Sequence, residues 1–199
     1  MSQNKKTEFY RKMIHFSLIL LPLAYRYLVN YDKRITLMVL ISLLVIALIV
    51  EVFRIKHPTF KRLFLDVFGL MMRKREYHDF TSATYMLISV VICIVVFSAD
   101  IAFVAIAFLA IGDTLAALVG IQFGKRKLFH TDKSLEGSIA CFVGSFIFGL
   151  FFLNPLIALS GALAASLAEA APIWVDDNIK VPVISGITMT LFSFIFISG

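Results

Sequence analysis

Apolar residues run along this chain in seven stretches, about 13–30, 35–53, 82–98, 101–122, 137–153, 155–173 and 182–198, separated by short polar segments. A hydrocarbon core about 30 Å thick takes about 20 apolar helical residues to cross, and several stretches approach that length. The pattern predicts an all-α integral membrane protein of about seven transmembrane helices. The third, fifth and seventh stretches are short, and Pro155 leaves only a tight turn between the fifth and sixth. The segment between the second and third has another pattern. There Phe60, Leu63, Phe64, Val67, Phe68 and Met71 recur at helical spacing among Lys61, Arg62 and the basic run 73–75. Such a segment is expected to lie in the headgroup region as an amphipathic interfacial helix.

Composition agrees with this reading. The 199 residues are 60% hydrophobic, and the mean hydropathy is +0.90. No soluble domain fits in what remains, so residues 1–199 are read as a single polytopic membrane catalytic domain. The basic, polar start lacks the short apolar region and cleavage site of a signal peptide, and the first span is expected to be retained. All of the 19 Lys and Arg except Arg26, Lys33 and Arg34 fall in segments on one side of the predicted topology. The positive-inside rule then places the N-terminus in the cytoplasm and the C-terminus outside. The net charge of +6 reports this loop bias and contact with anionic lipid, not a nucleic-acid partner. Cys93 and Cys141 lie in apolar runs and are expected to fill space. The four histidines show no zinc-ligand grouping.

The same topology gathers the unusual polar residues on the cytoplasmic face. Asp113 lies two to three turns inside the fourth span, where a carboxylate needs a partner, a proton or a metal ion. As a hard oxygen donor it suits a magnesium ion carrying nucleotide phosphates. A structural carboxylate or a transporter's proton relay is the other reading. Gly112, Ala116, Gly120 and Gly124 permit close approach, either to a ligand or to a neighbouring helix. The segment GIQFGKR is not a P-loop, because only three residues separate its glycines and Arg126 follows the Lys. Lys133, Ser134, Glu136, Gly137 and Ser138 open the fifth span with a cation, hydroxyls and a carboxylate at a helix start suited to anions. Glu51 and Arg54 have the spacing of a helix-face ion pair. Asp176, Asp177 and Asn178 fill the last cytoplasmic loop as a solvated turn or as metal and nucleotide contacts.

Taken together and in order, these residues resemble the CTP-dependent lipid kinases: dolichol kinase, yeast-type diacylglycerol kinase and phytol kinase, with their short bacterial relatives. The pattern proposed for CTP binding in that family is matched by Asp113, Ala116, Gly120, Lys133, Ser134, Glu136 and Gly137, with Asp132 standing for a Lys and Ser134 for a Thr. The resemblance extends to Arg11-Lys12-x-x-His15, Glu51-x-x-Arg54, the Thr81–Tyr85 segment, Glu169, and Asp176-Asp177-Asn178 before Pro182. It implies transfer of the γ-phosphate of CTP to a membrane lipid alcohol, of diacylglycerol or polyprenol type. Mg2+ or another divalent cation would be the cofactor, held by Asp113, with Glu136 or Asp177 as the further ligand. Lys133 and the Gly137-Ser138 helix start would bind phosphate, and Arg11 and Lys12 would reach the donor or the phosphorylated product. Asp113, Glu51 and Glu169 are the candidate bases. The active face is expected to be cytoplasmic, at the plasma membrane of a prokaryote or the endoplasmic reticulum of a eukaryote.

Two alternatives belong beside this reading. Phosphatidate cytidylyltransferases share a similar core, but their Pro-Gly-His and Asp-Arg-x-Asp elements have no counterpart after Val181. A small transporter using Asp113 and Glu169 as ion sites is disfavoured by the one-sided clustering of polar residues.

Overall fold

A computed structural model describes residues 16–69, 72, 74–128, 131 and 133–197. Arg11, Lys12, His15, Met71 and Asp132 lie outside the described residues. Within them the chain is helical, with no strand beyond an isolated bridge between Lys127 and Ser134. The helices are α1 (Ser17–Leu28), α2 (Lys33–Lys56), α3 (Pro58–Phe68), α4 (Ser82–Val96), α5 (Ala99–Phe123), α6 (Leu135–Leu150), α7 (Pro155–Ala170) and α8 (Asp177–Ile197). A 3₁₀ turn, Lys74–Tyr77, precedes α4. α1 is irregular: a 3₁₀ turn, one α turn around Pro22 and a widened π turn succeed one another.

Each of the seven apolar stretches forms a helix, but among the described residues only α2, α5 and α8 combine the length and hydropathy needed to cross a bilayer. α4 has 15 residues, and α6 and α7 have 16 each. At 1.5 Å per residue these reach about 22–24 Å, short of the hydrocarbon thickness. The last helix is longer than expected and begins before Pro182. Its start is set by Asp176, whose carbonyl accepts from the amides of Ile179 and Lys180 at 2.9 and 3.0 Å. The Asp176 side chain caps the same turn by accepting from the Asn178 amide at 2.9 Å.

α5 is the axis of the bundle. Every residue from Ile101 to Ala110 is buried, and the helix packs against α1, α4, α6, α7 and α8. Small residues let α6 come close to it. A Cβ on Gly137 would lie 2.6 Å from the Ala116 carbonyl oxygen, and one on Gly112 would lie 2.8 Å from Cys141 Sγ. Phe103 and Phe108 fill the wider layer further along.

α2 stands at the other extreme. Leu40, Glu51 and Arg54 are its only buried residues, while Met38, Val45, Ile46 and Ile49 are exposed. Such an outward apolar face suits lipid. α3 starts with Pro58 at its first position and has no buried residue. Its aromatic ridge continues from α2: Phe53 meets Phe60, Phe60 meets Phe64, and Phe64 meets Phe68.

Candidate functional site

The polar residues collect at the end of the bundle where α2 and α5 finish and α4, α6 and α8 begin. Lys133 precedes α6, whose cap is Ser134, with Oγ accepting from the Gly137 amide at 3.2 Å. From there Lys133 Nζ reaches across to α7 and α8. It donates to the Glu169 carbonyl and lies 3.3 Å from Glu169 Oε1. It also stands 3.1 and 3.2 Å from the two carboxylate oxygens of Asp177. Lys180 Nζ lies 2.9 Å from Asp177 Oδ1 and donates to the Ala171 carbonyl at 2.6 Å. Lys133 thus satisfies a carbonyl at the end of α7, Lys180 adds a second donor to the Ala171 carbonyl, which also accepts from the Ile173 amide at 2.9 Å, and cations suit the helix dipole there. Asp177 meets the opposite condition in the first turn of α8, where negative charge is favoured.

Asp113 is buried in α5, one helical layer deeper. Both Asp113 and Asp177 lie within electrostatic reach of Glu169. Cys141 of α6 is fully buried against Gly112, the residue before Asp113. Ser166, one turn before Glu169, donates to the Ser138 carbonyl at 2.7 Å and ties α7 to the first turn of α6. Glu169 and Asp177 therefore meet Lys133 where α7 ends and α6 and α8 begin, with Asp113 within electrostatic reach of Glu169.

Magnesium is usually held by one or two carboxylates, with phosphate oxygens and water completing the octahedron. Among the described residues no group of three or more His, Cys, Asp or Glu stands ready to hold a metal unaided. Asp113, Glu169 and Asp177 offer the hard oxygen donors that such an ion takes.

Other expected members have duties of their own. Glu136 Oε2 turns back to accept from the amides of Lys125 and Arg126 at 3.2 and 3.3 Å, pinning the loop after α5. The Gly137 and Ser138 amides, expected to face phosphate, bond Ser134 Oγ and the Ser134 carbonyl. Gly112, Ala116 and Gly137 serve the α5–α6 contact. Gly120 and Gly124 lie against Ser134, where added Cβ atoms would sit 3.1 and 2.7 Å from its Oγ.

A second cluster adjoins the first. Arg54 is wholly buried and donates to Glu51 Oε2 from Nε at 2.7 Å and also from a terminal nitrogen. It further donates to the carbonyls of Glu76 at 2.8 Å and Asp79 at 2.5 Å. Glu51 Oε1 accepts from the Thr81 amide at 2.8 Å and from Thr84 Oγ1 at 3.0 Å. Both oxygens of Glu51 are therefore engaged, which favours an anchoring role over proton transfer. The anchored turn carries Arg75 to Asp176, linking the two clusters by an ion pair. Arg75 and Lys180 were legible in the sequence only as topology-setting charges. For Lys180 the signal was its i,i+3 spacing from Asp177; for Arg75, whose partner lies 101 positions away, the sequence holds none.

Comparison with known proteins bears on this arrangement. The profile of the cytidylyltransferase family matches residues 1–198. CTP-dependent diacylglycerol kinase 1 of Eremothecium gossypii is 33% identical over 219 residues, covering 95% of this chain and 68% of its own. The protein of that name from Schizosaccharomyces pombe is 31% identical over 208 residues, 94% of each chain. A probable chloroplastic phytol kinase 1 of Oryza sativa subsp. japonica is 34% identical over 118 residues, 49% of this chain and 38% of its own. No solved structure matches.

Proposed function

The chain belongs to the cytidylyltransferase family, and from that membership we propose that it is a CTP-dependent lipid kinase, moving the γ-phosphoryl group of CTP to the hydroxyl of a membrane alcohol of the diacylglycerol class. Relatives carrying that activity in their names match nearly the whole chain, whereas the phytol kinase matches about half. The observation that carries the proposal is the meeting of Lys133 with Glu169 and Asp177 beside buried Asp113. Phosphoryl transfer asks little of a protein beyond positioning and neutralising a migrating, charged group.

In this reading Lys133 leaves its carboxylates to contact phosphate oxygens. Asp113 and Asp177 would hold the divalent ion, which when bound supplies charge neutralisation across the β- and γ-phosphates. The acceptor hydroxyl oxygen attacks the γ-phosphorus, the bond to the β-bridging oxygen breaks, and CDP departs. The hydroxyl proton passes to Glu169, which leaves Asp113 free to ligate the ion. Glu51 takes no part in that transfer, because its oxygens are committed to Arg54, Thr81 and Thr84. The face is cytoplasmic, where nucleotide is supplied, while the alcohol stays in the bilayer. The fully exposed Trp174, beside Ile173 and Val175, suits the headgroup boundary at this end, as does α3.

The test is incubation of purified protein in mixed micelles with γ-labelled CTP and either diacylglycerol or a polyprenol. Label entering the lipid of the diacylglycerol reaction is the expected result. With phosphatidate as acceptor, pyrophosphate release and CMP retained on lipid would establish cytidylyl transfer instead.

A further inference from the structure

We infer that Arg75 is a second phosphate-binding cation, stored on Asp176 in the unliganded protein and transferred to the triphosphate of the bound nucleotide. The inference rests on the kinase reading and adds to it a residue of the donor site. It starts from how Arg75 is delivered. Arg54 grips the carbonyls of Glu76 and Asp79, and the Glu76 carboxylate accepts from Ser82 Oγ at 2.6 Å. The backbone immediately after Arg75 is thereby fixed to α2 and α4, while its side chain extends to the turn before α8. Burying an arginine to hold a solvent-facing loop is costly unless that loop must be placed accurately.

The ion pair itself is lopsided. One terminal nitrogen of Arg75 meets Asp176 Oδ2, the arginine side chain is 49% exposed, and the aspartate is 4% exposed. A guanidinium has five donors in a planar fork, well matched to phosphate oxygens. Asp176 does not depend on Arg75 for its position, because Oδ1 already accepts from the Asn178 amide at 2.9 Å and from Asn178 Nδ2 at 2.6 Å. The arginine can therefore leave while the turn keeps its shape.

Its neighbourhood identifies the ligand. Asp176 and Asp177 are consecutive, so their Cα atoms are about 3.8 Å apart. Asp176 holds Arg75, and Asp177 holds Lys133. Two cations from distant segments thus flank one dipeptide, and a chain of phosphates laid along it meets both. A nucleoside triphosphate has that extent and charge.

The experiment compares Arg75→Gln, Arg75→Lys, Asp176→Asn and Lys133→Gln in the full-length protein in micelles. CTP and diacylglycerol are varied separately, direct CTP binding is measured, and thermal midpoints check folding. Losing the charge-assisted contacts of Arg75 is expected to raise the CTP KM about tenfold, with diacylglycerol KM unchanged and Arg75→Lys intermediate. Asp176→Asn frees Arg75 and should raise CTP KM less than Arg75→Gln does. An unchanged CTP KM in folded Arg75→Gln or Arg75→Lys would overturn the inference. So would equal losses in Arg75→Gln, Asp176→Asn and their double variant, which would mark the pair as scaffold. A CTP KM raised by Lys133→Gln alone refutes only the Arg75 role, whereas a wild-type protein without CTP turnover refutes the kinase reading beneath it.

Discussion

Replacing Glu51 by Ala separates an anchoring role from a catalytic one. The substitution leaves the wholly buried Arg54 guanidinium without its carboxylate and strips the Thr81 amide and Thr84 hydroxyl of their acceptor. Breaking a buried ion pair from one side costs about 3–5 kcal/mol, chiefly because the surviving charge stays out of water. For a chain of this size each kcal/mol moves the thermal midpoint by about 2–4 °C, so the expected fall is roughly 6–20 °C. The paired change Glu51→Leu with Arg54→Met removes both charges and should recover only the part of that loss due to the stranded guanidinium, since the Glu76 and Asp79 carbonyls and the Thr81 amide still lose their partners. Midpoints are read in detergent micelles by tryptophan fluorescence or light scattering. Below its midpoint, Glu51→Ala should keep kcat within a few-fold while CTP KM rises, because the turn carrying Arg75 has lost its support. A midpoint shift under about 2 °C would refute the anchoring argument. A folded variant with no turnover would return Glu51 to the list of bases.

Three further outcomes follow from the same geometry. Asp113→Asn should abolish phosphoryl transfer while leaving the thermal midpoint near that of wild type, and near-normal turnover would remove Asp113 from the mechanism. Gly137→Ala brings a methyl group to 2.6 Å from the Ala116 carbonyl oxygen, a backbone atom with little freedom to retreat. A destabilisation of about 1–3 kcal/mol is expected, and a stability equal to wild type would show that α5 and α6 part easily. Ser134→Ala removes the cap of α6 and should cost about 1 kcal/mol; it should also shorten protection of the Gly137 and Ser138 amides in hydrogen exchange.

The helices were legible because apolar runs broken by charged loops leave few alternatives. Their lengths were less so. Residues such as Pro172 and Ile173 are apolar enough to extend α7 on paper, yet Ala171 ends the helix and sets up the turn that Asp176 caps. At the site, the convergence of Lys133 with Glu169 and Asp177 followed from topology alone, since each stands at a helix end on the same face. The bonds of Glu136 to the Lys125 and Arg126 amides did not follow. Glu136 lies in the first turn of α6, where nearby loop amides offer local bonds that a reading of spacing along the chain does not weigh. The four small residues Gly112, Ala116, Gly120 and Gly124 were equally compatible with ligand or helix contact. Their neighbours, Ser134, Gly137 and Cys141, place them between helices.

The two native thiols, Cys93 and Cys141, are completely enclosed and unpaired by a disulfide, and sulfur so sealed from water is chemically inert. The natural chain is thus already suited to site-directed maleimide work, without a cysteine-free parent. Single cysteines introduced beside Trp174 and at Asn154 would be read out by impermeant reagents applied to intact cells and to inverted vesicles, giving each end of the bundle its address.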